Sequence, residues 1–185
     1  VTVVAQAQIS KSPPGELLMW VLIISELLVF GAGLLAFMAV RLTDPLGFAE
    51  AQTYLHRTGA ALNTAVLVSS GFLAALAHVW HIAGHRVQAR LALIAAATFG
   101  VVFLGFKSLE YADKAAQGIA WDSHTFFTFY YLLTGFHAAH VVAGIVLLLA
   151  VAWKDTHQNI EAAGQFWHMV DLVWVLLFPV IYLLG

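Results

Sequence analysis

Five stretches of this chain are apolar at nearly every position: about Leu17 to Leu42, Ala60 to Ile82, Leu91 to Tyr111, Phe126 to Trp153, and Phe166 to Leu184. At about 1.5 Å of rise per helical residue, each is long enough to cross roughly 30 Å of hydrocarbon. None alternates as a half-buried strand does, and barrel strands would be about half as long. In lipid the backbone has to satisfy its own hydrogen bonds, so helices are the expected element. The pattern therefore predicts an all-α polytopic membrane protein, a bundle of five transmembrane helices over residues 17–185, preceded by a polar lead-in over residues 1–16. In that lead-in, Pro13-Pro14 stop a helix from extending backwards, and Glu16 suits a helix N-terminus. It does not read as a signal peptide, because the first apolar run is too long for one. The longest connections, Thr43 to Gly59 and Ala112 to Thr125, read as loops and leave no soluble domain.

Composition narrows the function classes. Apolar residues make up 62% of the 185 and charged ones 10%, against about 45 to 50% apolar in a soluble domain. With 8 Lys plus Arg and 10 Asp plus Glu, there is no basic surplus for binding nucleic acid. The absence of cysteine excludes disulfides, thiolate chemistry, iron–sulfur ligation and covalent haem attachment through CxxCH. Loop charges barely orient the bundle. Lys11, Arg86, Arg90 and Lys154 fall on the N-terminal side and Arg41, Arg57, Lys107 and Lys114 opposite; pairing of Lys107 with Glu110, three residues on, tips the reading toward an N-terminus inside.

Polar groups within the spans are the functional candidates, because each costs several kcal/mol in hydrocarbon unless satisfied. Glu26 lies about 14 Å along the first span, near the bilayer centre, either as a proton-handling carboxyl or as a neutral acid bonded to a neighbouring helix. His137 and His140, at i and i+3, share a helical face and fit either a metal or hydrogen bonds across a helix contact lined by Gly135, Ala139, Ala143 and Gly144. Trp167, His168, Asp171 and Trp174 form a stripe expected to face protein. Asn63, Ser70 and His78 form another, with His78, His81 and His85 expected at the membrane boundary. Glu110, bracketed by Lys107 and Lys114, reads as an interfacial ion-pair cluster. A di-metal bundle site would need Glu-x-x-His pairs and further carboxylates, whereas the only acids deep in the spans are Glu26 and Asp171, so no metal is expected.

The order and spacing of these pieces resemble subunit III of the haem-copper oxidases, the cytochrome c oxidase subunit III family. The resemblance rests on Ser25-Glu26 with Phe30, Leu62-Asn63-Thr64 followed by Ser70-Gly71 and Ala77-His78, Glu110-Tyr111, Thr134-Gly135-Phe136-His137 with His140-Val141, and Trp167-His168 with Asp171, Trp174 and Tyr182. It covers about Leu18 to Gly185. The family's usual form has seven helices, of which these match the last five. Glu110-Tyr111-x-x-Lys114 looks most like a short branch associated with bacterial nitric oxide reductase, and five-helix subunits also accompany bacterial oxidases. The resemblance implies an accessory, non-catalytic subunit, with haem and copper in partner subunits and no cofactor or metal here. It further implies packing against catalytic subunit I and subunit II, support of proton uptake, and phospholipid binding. On that basis Glu26 is the proton-handling candidate. His78, Glu110, His137, His140, Lys154, His168, Asp171 and Trp174 form a lipid-binding or structural polar network. The expected location is the bacterial inner membrane, multi-pass, with the N-terminus cytoplasmic and the C-terminus periplasmic. A small stand-alone proton or ion transporter is the alternative of a different class, and an intramembrane metalloenzyme centred on His137, His140 and His168 is a third.

Overall fold

The computed structural model describes residues 17–154 and 157–184, which contain helices and no strands. The helices are α1 (Leu17–Arg41), α2 (Pro45–Thr53), α3 (Arg57–Ile82), α4 (Arg86–Ala116), α5 (Thr125–Lys154) and α6 (His157–Phe178), followed by a π-helical segment (Pro179–Leu183). All but α2 are long and apolar enough to cross a membrane, α6 together with its π-helical extension. Several run past the apolar limits because their last turns carry Arg41, His81 or Lys114, whose long or amphipathic side chains suit a membrane boundary.

Helices α3, α4, α5 and α6 close a four-helix unit in which α3 packs on α4 and α6, and α5 on the same two. Helix α1 lies outside it against α5 and α6, burying little beyond Phe30 and Phe37. Consecutive spans alternate in direction. One end of the bundle therefore carries the start of α1 and the α3–α4 turn, and the other carries α2, the α4–α5 loop and the end of the π-helical segment.

The turns follow from local sequence. Gly84 takes φ +82 after α3, and His85 N–H reaches back to the Trp80 carbonyl at 2.8 Å, a helix stop that a side chain with Cβ would strain. Gly118 (φ +73) repeats it after α4, with Ile119 N–H donating to Lys114 O at 3.0 Å.

The Thr43 to Gly59 stretch was expected as a loop, and α2 corrects that. Asp44 accepts from Gly47 N–H at 3.1 Å and Pro45 opens the helix, an N-cap followed by a residue whose missing donor costs nothing there. The Gly47 N–H and the His124 ring, 3.1 Å away, hold the Asp44 carboxyl below the ordinary carboxylate range. Helix α2 is too short to show a hydrophobic period, which is why the pattern missed it. It has a structural use, since buried Gln52 donates to Ile181 O at 2.6 Å, beside Arg41 at the end of α1, which donates to Leu184 O. These side chains serve carbonyls around the π-helical segment, where the α-helical ladder is interrupted.

Candidate functional site

The most enclosed polar cluster lies between α4, α5 and the π-helical segment. Lys107 is 2% exposed. Its Nζ donates to Glu110 Oε2 at 3.0 Å, Tyr130 OH at 3.2 Å and Tyr182 OH at 2.5 Å. Rings of Tyr111, Tyr130, Trp174 and Tyr182 surround the ammonium at 4.7 to 5.4 Å from their centroids. Tyr182 OH in turn donates to Glu110 Oε1 at 2.9 Å. A charge this deep persists only with its counter-ion and its donors satisfied, and π faces add to the cage. Beside it, the Tyr111 and Thr134 hydroxyls meet at 2.6 Å. Helical spacing brings Lys107 onto Glu110, as expected, and the pair is enclosed by the bundle. Lys114, also fully buried, turns instead to Asp113 at 3.3 Å.

A second network pins α3 to α4 and α6. Asn63 Nδ2 donates to Phe103 O at 3.2 Å and Ser70 Oγ to Ala96 O at 2.7 Å. Ser70 Oγ also accepts from Trp167 Nε1 at 3.1 Å, and Trp174 Nε1 donates to Thr64 Oγ1 at 2.9 Å. The Trp167 indole fits because Gly100 on α4 and Gly144 on α5 leave it room: a Cβ at Gly100 would lie 2.7 Å from Trp167 Cη2, and one at Gly144 would overlap the ring. Gly71 likewise admits the Asp171 carboxylate, which a Cβ there would meet.

The expected inward stripe of α6 therefore holds for Trp167, Asp171 and Trp174 but not for His168. That side chain is 47% exposed and sits 4.0 Å from Asp171 Oδ2. One residue past Trp167, it falls on the outer flank of the bundle and lines a cavity of about 340 Å³ with His78, Glu161 and Gln165. The Lys154 side chain, like residues 1–16, lies outside the described residues.

The histidine pair of α5 also separates. His140 Nε2 lies 3.0 Å from Glu26 Oε2, and His140 Nδ1 meets Phe136 O at 2.9 Å. The first contact joins α5 to the middle of α1, and the second stays within α5. His137 is fully buried, stacks on Trp174 with centroids 5.1 Å apart, and has edge contacts with Phe103 and Phe30. Neither of its ring nitrogens has a hydrogen-bond partner among the described residues. The expected pair of imidazoles bonding across one interface is thus corrected: three residues subtend about 300° on a helix, enough to send one ring into the core and the other to α1. His137, His140 and His168 do not converge, and no group of three or more His, Asp or Glu side chains able to hold a metal occurs among the described residues.

Sequence reasoning missed Tyr130 and Tyr182 as partners of the buried Lys107–Glu110 pair and Thr134 as the partner of Tyr111. Their hydroxyls sit in apolar runs, where tyrosine equally suits the membrane boundary. Only the buried Lys107 signals that donors and acceptors are needed nearby.

The sequence model of the family described as cytochrome c oxidase subunit III matches residues 15–185. Cytochrome c oxidase subunit 3 of Prototheca wickerhamii is 36% identical over 135 residues, covering 67% of this chain and 49% of that protein. The subunit 3 proteins of Glycine max and Arabidopsis thaliana are each 39% identical over 132 residues, with the same coverages. The chain spans about half the length of these relatives. A match over nearly all of its residues, across five helices long and apolar enough to cross a membrane, identifies a multi-pass membrane protein: the chain belongs to the cytochrome c oxidase subunit III family.

Proposed function

We propose that this protein is an accessory, non-catalytic subunit of a bacterial respiratory haem-copper oxidase. On this reading it packs against catalytic subunit I and subunit II and holds no redox centre of its own. The observation that carries the reading is the family match over residues 15–185. It is supported by the way the inner polar groups are used: Lys107, Glu110, Ser70 and Asn63 bond to one another or to facing helices, as fits a scaffold. The proposed location is the inner membrane, with the N-terminus cytoplasmic and the C-terminus periplasmic.

Within this role, Glu26 is the proton-handling group. It lies mid-helix, its side chain is about a quarter exposed at the bundle surface (24%), and His140 is 3.0 Å away. That geometry lets a proton arriving from outside the bundle be shared between carboxylate and imidazole, one as acceptor and the other as donor. Phospholipid beside α1, where Met19, Leu22 and Phe166 line an apolar cavity of about 350 Å³, is part of the same proposal. The stand-alone transporter finds less support, because transporter sites are built on broken helices at mid-membrane and the interruption here, Pro179–Leu183, is at a helix end.

The test is to tag the chain, solubilise native membranes in mild detergent, and take the optical spectrum and subunit masses of what co-purifies. Haem with a large multi-span partner is expected, and copper beside that haem separates an oxygen reductase from a nitric oxide reductase. A colourless chain without such a partner would overturn the reading. In the same preparation Glu26→Gln is expected to assemble normally and to lose activity progressively during sustained turnover. Failure to assemble would make Glu26 a structural residue.

A further inference from the structure

Where α6 meets α3, polar groups stand at membrane depth beside the outer flank of the bundle. Asp171 is the central residue of the span Asn159–Leu183, and His168 lies one turn before it. The His168 side chain is 47% exposed and, at 4.0 Å, too far from Asp171 Oδ2 for a hydrogen bond. Asp171 is only 9% exposed, and its Oδ1 has no hydrogen-bond partner among the described residues. Nearer the start of α6, Gln165 commits Nε2 to Glu161 at 3.4 Å, while its buried Oε1 likewise has no partner among those residues. Ala74, Ala75 and Gly164 line the cavity between the two helices, and a Cβ at Gly164 would meet nothing within 4 Å.

Lipid tails are a poor cover for this groove. A half-exposed imidazole and unanswered acceptors at mid-span are expensive in hydrocarbon, whereas small residues let another helix approach closely. The α5 and α6 side of the bundle shows what such a place takes: α1 packs there and sets Glu26 against His140 at 3.0 Å. Along α3 and α6 the imidazole and the carboxylate are both on α6. The two orphan atoms, Asp171 Oδ1 and Gln165 Oε1, are acceptors, so the complementary surface carries N–H donors.

We infer that the α3–α6 groove seats a transmembrane helix of a partner subunit, whose Asn, Gln, Lys or Arg side chains donate to Asp171 Oδ1 and Gln165 Oε1 and whose backbone covers His168. This docking face rests on the reading of the chain as an accessory subunit and adds the side through which it assembles.

The experiment is photocrosslinking in native membranes through the tagged chain. The photoreactive p-benzoylphenylalanine replaces Val79, which lines the cavity, or Val175, which is seven residues from His168 and so on its stripe. Val101 on α4 is the control, and all three positions are exposed. Crosslinks from Val79 and Val175 are expected on a transmembrane segment of the haem-bearing partner that carries an N–H donor side chain, with none from Val101. Asp171→Leu keeps the approximate shape of the side chain and removes a carboxylate with no hydrogen bond among the described residues, so the chain's own unfolding in detergent–SDS micelles is expected to hold. Haem retained per tagged chain after detergent washing is expected to fall about tenfold, the worth of one charge-assisted hydrogen bond. With the haem partner present, crosslinks to it from Val101 alone, capture of lipid or of a second copy of the chain at Val79 and Val175, or full haem retention in Asp171→Leu would each overturn this docking face and leave the accessory-subunit reading standing. An unmodified tagged chain that purifies without a haem partner would overturn both.

Discussion

Gly144→Ala should be among the most damaging single-methyl changes in the protein. The added Cβ would sit 2.6 Å from Trp167 Cζ3 and closer still to Cε3, well inside van der Waals contact. The indole has little room to retreat. Gly100 on α4 abuts the next ring atom, Cη2, where Ile145 also closes in at 3.0 Å from a notional Cβ, and Nε1 is bonded to Ser70 Oγ on α3. Overpacking of this kind costs about 1 to 3 kcal/mol, and displacing the indole forfeits about 1 kcal/mol of hydrogen bond. The Gly-to-Ala change returns up to about 1 kcal/mol of helix propensity, leaving a net loss of about 1 to 3 kcal/mol. Gly105→Ala is the control, for a Cβ there meets nothing within 4 Å and only the propensity gain applies. The assay is equilibrium unfolding in mixed detergent–SDS micelles, followed by far-ultraviolet circular dichroism, on both variants and on Gly144→Ala combined with Trp167→Leu. The double variant should behave less badly than the sum of its parts, because the smaller side chain removes the clash. If Gly144→Ala were as stable as Gly105→Ala, the Trp167 seat would not be the joint between α4, α5 and α6.

Lys107→Met leaves Glu110 ionised beside Tyr182 without its counter-ion and should cost about 3 kcal/mol or more, whereas Lys107→Met with Glu110→Gln should recover most of it; the same unfolding assay reads both. For Asp44, whose pKa is lowered in the fold, the carboxylate supports α2 fully at neutral pH. That support is lost as pH falls below about 4, the unfolded value, and through the lower folded one. Hydrogen exchange at Gly47 and Phe48 should therefore accelerate in acid beyond the intrinsic change. Asp44→Asn should show no such acid step, and a step of equal size in that variant would assign it to another group.

The two kinds of information in this protein separate cleanly by range. Long apolar runs, the residue types inside them and i, i+3 spacing are local, so the sequence alone sufficed for five spans, the all-α class, the Lys107–Glu110 pair and the motif residues that carry the family resemblance. Helix α2 escaped because nine residues are too few to show a period, and its cap and proline were the only signs. Spacing also could not say which side of a lipid-spanning helix faces protein, since lipid and protein interior both accept apolar side chains. His137 and His140 therefore looked alike, yet one is sealed against Trp174 and the other reaches Glu26 on α1. His168 looked like Trp167 and turned outward. The aromatic cage around Lys107 and the glycine seat of Trp167 join residues up to 75 positions apart. Which tyrosine meets which cation depends on the rotation and depth of each helix in the bundle, and only packing of the whole chain sets those.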